Sequence, residues 1–491
     1  MRNAIIAIVL STIVAVTCFG TWEKLYGDRW EEYAWDISPT LDNGYIVAGM
    51  FTVIGHRQIY VLRLNSYGDT LWTRVYGYPG IDIGLSAIQT SDLGYAICGY
   101  TDSDSLHGAG SMDAYLLKLD SDGDTLWTKT LGIEFDDYGF ELLETGDGGL
   151  VLAGHTDLYG WGGSFPFLIK VDSMGDTVWS KIYESDFNCL ANCIAASHDG
   201  GCFLGGWIEE IDMRIGMFAM RVDSLGDTLW TKKIIGDSYD YGYSIVATGD
   251  DGCVLAGCTF SGGAVEGDVL IVKLDCDGDT IWTKAYGGLE WDQAYSIAAT
   301  PDGGFIVTGY TDSYGAGYRD LYLLRLDSFG DTLWTRVYGG PYSDEGKSVL
   351  ALENGSFVVA GNKGFSVEDG ESEAWIFETD SLGFMAIDEH DIDLPSKMSI
   401  SAHPNPFNGN CRIMIDDLGM GIDAIEIYDI NGRMVDNMTV GEGLCALPRE
   451  HTQVLPYDFI WAPDESLGSG IYLVRAKVGG QSITKRIVYL K

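Results

Sequence analysis

Residues 21–27 read Thr-Trp-Glu-Lys-Leu-Tyr-Gly, TWEKLYG. The pattern returns as LWTRVYG at 71–77, IWTKAYG at 281–287 and LWTRVYG at 333–339. Each later copy follows an Asp-Ser-x-Gly-Asp-Thr-like turn, as in LDSFGDTLWTRVYGG at 326–340. The first copy has no such turn before it, so half a hairpin stands alone. Trp22, Trp72, Trp127, Trp179, Trp230, Trp282 and Trp334 are separated by 50, 55, 52, 51, 52 and 52 residues. A period of this size with four strand-like segments per unit marks a propeller or a solenoid.

The unit 294–340 shows the segments plainly: AYSIAAT, FIVTGYT, DLYLLRLD and TLWTRVYGG, joined by PDGG, a Gly/Tyr-rich loop and SFGD. Short apolar or alternating runs bounded by turn residues read as strands. In the tight turns, Gly takes positive φ and Asp bonds its own backbone. DSDGDT at 120–125 imitates a calcium loop but lacks the sixth-position glycine and the later bidentate Glu, so it reads as a hairpin turn. First strands begin near Ala34, Leu85, Phe140, Ala191, Tyr243, Tyr295 and Lys347. The seventh unit stops at Phe384-Met385, where a Trp strand is due, and TWEKLYG is the strand it lacks. The expectation is an all-β fold: a seven-bladed β-propeller over 21–384, closed by its N-terminal strand. Closure removes the sheet edges that an open array exposes. A solenoid needs no such exchange and shows capping repeats instead.

The chain has 491 residues, with 72 acidic against 30 basic, a formal charge of −42. Such a surface repels nucleic acid and anionic membranes. The 65 glycines, 28 tyrosines and 14 tryptophans favour strands and tight turns. Met1-Arg2-Asn3, an apolar run over 4–16 and small residues near 17–20 predict a secretory signal at 1–20, and no membrane-spanning segment follows. Ten cysteines at irregular spacing, nine if Cys18 is removed, do not form a disulfide framework. Cys202 and Cys253 stand where other units place Tyr45, Tyr95 or Phe305, and so read as apolar filler. Cys189 and Cys193 would suit a local bridge or a metal, but no second ligand pair accompanies them.

After residue 384 the repeat ends. The acidic stretch 385–398, MAIDEHDIDLPSKM, reads as a linker, and a strand-rich module follows over 399–491 with a small immunoglobulin-like sandwich pattern.

The repeats resemble secreted bacterial β-propeller repeats of the SBBP type, on GGFIVTGYTDSYGAG at 303–317 and DLYLLRLDSFGDTLWTRVYGG at 320–340. That resemblance implies an extracellular propeller and assigns no catalysis. The last module resembles the type A C-terminal sorting domain of the type IX secretion system. The matching residues are Pro404, Asn405, Pro406, Phe407 and Asn408, the YDINGR hairpin at 428–433, Gly470-Ile471-Tyr472 and the basic-apolar last strand. The resemblance implies export through the type IX machinery, with the tail recognised and usually removed. The stretch 441–463 departs from the compact pattern of that family, which leaves open a FlgD-like module that stays on the protein.

Candidate binding residues lie on the loops that precede first strands. Glu32, Asp82, Asp137, Asp240, Asp292 and Asp344 recur two residues before the small residue that opens each first strand, with Cys189 in the fourth unit. Around a ring they would surround the channel mouth, where close like charges raise pKa values or recruit a cation, calcium being the candidate. The plainer reading is that each caps backbone N–H groups of its own turn. Trp30, Trp161, Trp207 and Trp291 lie off the ladder; Trp161 and Trp291 in particular offer stacking surfaces for a sugar ring or a protein partner.

No Gly-x-Ser-x-Gly, His-Glu-x-x-His or Gly-x-Gly-x-x-Gly is present, and GGPYSDEGKS at 339–348 mis-spaces a phosphate loop. Units three and four, with WGGSFPF and WIEEIDMRIGM, deviate most from the repeat. The sequence therefore predicts a secreted or cell-surface, non-catalytic propeller that binds a glycan or a protein through its loop face. A polysaccharide hydrolase or lyase, and a purely architectural surface protein, are the alternatives.

Overall fold

The computed structural model describes residues 21–27, 31–53, 55–102, 112–132, 135–157, 163–262, 266–364 and 372–385. Towards the C-terminus it describes 399–403, 411–416, 422–429, 433–439, 457–463, 467, 469–478, 481–489 and 491. The expected leader, Trp30, Trp161, most of the 385–398 linker, Cys445 and Pro404 to Asn408 lie outside these residues. The chain divides into two compact units, Met1–Ala386 and Ile387–Lys491.

All regular structure described in the first unit is β-strand, in seven four-stranded antiparallel sheets. Six follow chain order, as in Asp292–Ala299, Phe305–Thr311, Asp320–Leu326 and Thr332–Tyr338. The seventh orders Asp344–Ala351, Phe357–Gly364 and Ser372–Thr379, and its fourth strand is Glu23–Tyr26. Glu23 pairs with Phe377 and Tyr26 with Ala374. The lone half-hairpin thus finds its partner at the other end of the repeat.

The sheets are numbered by their first strands: Glu32–Pro39, Asp82–Gln89, Asp137–Glu144, Cys189–Ala196, Asp240–Ala247, Asp292–Ala299 and Asp344–Ala351. Each first strand packs beside the next, and the seventh packs beside the first. Sheets that meet in cyclic order around their first strands make a β-propeller. Second and third strands are covered on both faces by neighbouring sheets, which is why Phe305–Thr311 and Asp320–Leu326 are buried throughout and apolar in continuous runs. Outer strands are covered on one side only, and Thr280–Tyr286 is exposed or half-buried along its length.

The repeated heptapeptide serves the joint between sheets. Alternate side chains of a strand share a face, so Trp, Lys and Tyr of TWEKLYG point the same way. Trp22 covers Gly68, Trp282 covers Gly330 and Trp334 covers Gly383, each the glycine of the next sheet's last turn. Tyr26 Oη donates to Gly68 O at 2.5 Å and Tyr286 Oη to Gly330 O at 2.5 Å. Lys24 pairs with Asp69 and Lys284 with Asp331. The glycine is required twice over: Gly68 has φ +72°, and a Cβ there would run into the Trp22 ring. The residue three before the glycine builds the turn: Asp327 Oδ1 accepts the amides of Phe329 and Asp331 at 2.9 and 2.8 Å, and Asn65 Oδ1 does so for Tyr67 and Asp69. Asp120 does the same in DSDGDT, accepting from Asp122 and Asp124 at 3.0 and 2.9 Å. One apolar cluster unites Trp22, Tyr26 and Ile376 with Ile37, Val47 and Leu62, sealing sheet seven to sheet one.

Cys98, Cys189, Cys193, Cys202, Cys253 and Cys258 are buried free thiols, and Cys276 is exposed. In the second unit, Ser399–His403, Cys411–Asp416 and Tyr457–Trp461 form one sheet. Met434–Thr439, Ile422–Asp429, Gly470–Val478 and Gln481–Tyr489 form another. Cys411, Ile425, Ile427, Trp461, Tyr472 and Ile487 share its core.

Candidate functional site

The six repeated acids are the opening residues of their strands, and all are buried. Glu32, Asp82, Asp137, Asp240, Asp292 and Asp344 are 0–2% exposed. Asp82, Asp240, Asp292 and Asp344 each take the amide four residues earlier: Tyr78 at 2.9 Å, Gly236 at 2.8 Å, Gly288 at 2.7 Å and Gly340 at 2.7 Å. Their second bonds go to the end of the second strand or the loop just after it, as Ser313 Oγ to Asp292 at 2.7 Å and Gly364 N to Asp344 at 3.1 Å. These carboxylates fasten two loops together and are not presented to solvent. Where Cys189 replaces the acid, Asn188 takes over, accepting from Ser164 N at 3.0 Å and donating to Glu209 at 2.7 Å. Burial pushes the Asp344 carboxyl up to about 6. Among the described residues no three metal-ligating side chains come together.

Trp291 is half-buried, edge-on to Phe260 at 5.4 Å and tilted against Tyr310 at 6.5 Å. In the second unit Gly470 opens a strand, and Tyr472 packs edge-on to Trp461 at 5.4 Å. Tyr472 is thus a core residue of its unit.

A different set of residues gathers at the axis. Every first strand carries a bulge, between Ala34 and Asp36, Gly84 and Ser86, Gly139 and Glu141, Ala191 and Cys193, Gly242 and Ser244, Ala294 and Ser296, and Gly346 and Ser348. A bulge re-aims the side chain of its extra residue. Those residues are Trp35, Leu85, Phe140, Asn192, Tyr243, Tyr295 and Lys347, and all are half-buried. Because the first strands pack side by side, these residues line the centre of the ring.

Aromatic contacts link this floor to the second-strand ends. Tyr33 stacks on Trp35 at 5.9 Å and 17°. On the far side a chain runs Trp207–Tyr241–Tyr243–Tyr295–Tyr310, with centroid spacings of 5.8, 6.4, 5.8 and 5.8 Å. His155 lies between Tyr138 and Phe140, 5.2 Å from each, and burial pulls its imidazole down to about 4, so it stays neutral.

One charged cluster interrupts the aromatic lining. Lys347 Nζ lies 3.7 Å over Tyr295 and 5.1 Å over Trp35, and pairs with Glu345. Glu345 also takes Arg319 Nη1 at 2.7 Å, and Arg319 lies 4.3 Å over Tyr310. Burial works to raise the Glu345 carboxyl, but Lys347 and Arg319 outweigh it and hold it below the usual carboxylate range. Burial holds the Lys347 ammonium below its ordinary value. Asp312 stands 3.8 Å from Arg319 Nε, and burial raises its carboxyl. A carboxylate held low is suited to pairing and hydrogen bonding; a general acid needs the opposite shift. The arrangement offers aromatic faces and charge-assisted hydrogen bonds, the equipment of recognition.

The sequence signal for this site lay in the middle of the first strands. Aligned on the opening acid, the fourth position reads Trp, Leu, Phe, Asn, Tyr, Tyr, Lys, the most variable column in an otherwise uniform segment. Unit seven, with DEGK at 344–347, carries the charged departure, whereas units three and four drew attention for their loops.

No protein-family model matches the chain, and no curated protein does. Among solved structures, Sqt1 from Chaetomium thermophilum is 12% identical with a TM-score of 0.41, covering 71% of this chain and 88% of its own. YCF48 bound to D1 peptide is 10% identical with a TM-score of 0.39, covering 75% and 99%. PorZ, a surface component of the type IX secretion system of Porphyromonas gingivalis, is 12% identical with a TM-score of 0.20, covering 93% and 81%. None of these reaches a TM-score of 0.5. Among the described residues, no helix is long and apolar enough to cross a membrane.

Proposed function

We propose that this chain is a secreted or cell-surface, non-catalytic seven-bladed propeller whose loop-face bowl binds a neutral glycan. The reading includes removal of 1–20, export by the type IX machinery through an immunoglobulin-like sorting module over 399–491, and no bound metal; calcium at the six buried acids is not part of it. One observation carries the binding reading: Trp35, Tyr295, Tyr243 and Tyr310 surround the Lys347–Glu345–Arg319 cluster at the axis. Sugars are recognised by aromatic faces that take C–H surfaces and by charged groups that take hydroxyls. A surface of formal charge −42 favours a neutral ligand over uronates or sulfated chains.

A glycan array probed with the full chain tests this reading. Retention on neutral oligosaccharides, lost in Trp35→Ala, is the expected result. Retention only on a protein partner, or release of new sugar ends on incubation with polysaccharide, would replace it with the protein-binding or the hydrolase reading respectively. Mass spectrometry of the exported protein tests the sorting module, which predicts a mature chain lacking the segment after 385–398.

A further inference from the structure

At the opposite end of the first strands from the bowl, neighbouring sheets meet at the turns that follow those strands. Gln89 Oε1 of sheet two accepts the Leu41 amide of sheet one at 2.7 Å. Glu144 of sheet three accepts the Ser91 amide of sheet two at 2.9 Å and its hydroxyl at 2.7 Å. At the next joint the corresponding residues are Ala196 and Gly146, so the side chain at 196 is too short to reach the Gly146 amide. A groove of about 430 Å³ opens there, lined by Leu143, Gly146, Asp147, Trp179, Ala196 and Asp223. A Cβ on Gly146 would meet nothing within 4 Å.

We propose that this groove binds an N-acetylhexosamine unit of a glycan. The acetamide oxygen takes the Gly146 N–H, the place that Gln89 and Glu144 fill at the preceding joints. Trp179 covers Gly226 with one part of its ring and lines the groove, and the pyranose packs on the part that faces the groove. Asp223 Oδ1 is occupied by the amides of Leu225 and Asp227, leaving Oδ2 to accept a sugar hydroxyl. The groove's cation, Lys170, is already paired with Asp147 at 2.7 Å beside Glu144 and Asp223, so a neutral ligand suits the site and an anionic one does not. The groove shares no residue with the loop-face bowl, and the proposal stands apart from the reading of that bowl.

Hydrogen–deuterium exchange of the full chain tests it with two probes, a tetramer of N-acetylglucosamine and a tetramer of glucose. Ala247, Ala299 and Ala351 also leave the filler's place empty, and Gly249 with Ala299 repeats the same pair between sheets five and six, so the readout is local: peptides spanning 143–151. The N-acetylated tetramer slows their exchange, and the glucose tetramer leaves them unchanged. Ala196→Gln and Ala196→Glu, which import the fillers of sheets two and three, abolish that protection while the unfolding midpoint holds. Lys347→Met in the bowl leaves it intact. Absence of protection in the wild type, equal protection by glucose, or protection that survives both fillers overturns the proposal.

Discussion

Trp22→Ala removes the anchor of the strand that closes the ring. The side chain is 7% exposed, lies over the Gly68 turn and stands 6.1 Å from Tyr45. Truncating a buried Trp costs about 3–5 kcal/mol, a large share of the roughly 5–15 kcal/mol that holds a folded domain together. The backbone pairing of Glu23–Tyr26 with Ser372–Thr379 is untouched by the change, so the loss measures the packing alone. Tyr26→Phe, which deletes the hydroxyl bond to Gly68 O, costs about 1 kcal/mol more. Leu25, on the same strand but 42% exposed, is the internal control, and Leu25→Ala is expected within about 0.5 kcal/mol of wild type. Guanidinium unfolding followed by far-ultraviolet dichroism gives the differences, and small-angle scattering reports whether the ring stays compact. If Trp22→Ala and Leu25→Ala are equally stable, the N-terminal strand is not the seal described here.

The remaining predictions concern charge, thiols and the bowl. Glu141 reaches across to the first strand of sheet four, and burial pushes its carboxyl up to about 8 from an ordinary 4.5, against one amide bond from Ile194 at 2.8 Å. Between those values the folded chain keeps a proton that the unfolded chain releases, so stability falls as pH rises through that window. Glu141→Gln therefore flattens the melting temperature between about pH 5 and 8 and raises it at the upper end; an unchanged slope refutes the assignment. On the acid side, Asp42 and Asp92 are held down to about 2 by hydrogen bonds from Thr40 and Thr90 and by Arg63 and Lys118, so their contribution is lost as pH falls from the ordinary 3.8 towards 2. Ellman's reagent on the folded propeller reacts fast with Cys276 and slowly with the buried thiols, whose pKa values burial raises to about 12 at Cys202 and Cys253. Cys276→Ser removes the fast phase. Lys347→Met keeps the fold, because the thioether still fills the space between Tyr295 and Trp35, but it frees Glu345 from one partner and raises its carboxyl; carbon-13 titration of that carboxyl reads the shift.

Much of the architecture was legible from one heptapeptide. Trp22, Lys24 and Tyr26 repeat because each outer strand must grip the next sheet's turn, and a repeated physical task writes a repeated sequence. The fourth strand of the last sheet was found by its absence after Phe384. The repeated acids were visible too, but their burial was not. A carboxylate that recurs at one position looks the same in sequence whether it faces a channel or caps an amide four residues back, as Asp292 does with Gly288. The bowl was hidden for the opposite reason. Trp35, Tyr295 and Lys347 share no residue type, and only the bulge that turns each of them to the axis makes them one set. Bulges carry no dependable sequence mark, since they are set by the register of a partner strand.

The most direct test of the binding account is isothermal titration of the full chain with the strongest neutral oligosaccharide from the array, beside Trp35→Ala and Tyr295→Ala of verified fold. Each truncation removes one aromatic face worth about 1–2 kcal/mol, so affinity is expected to fall roughly tenfold for each. Undiminished affinity in both variants would contradict a loop-face bowl as the binding site.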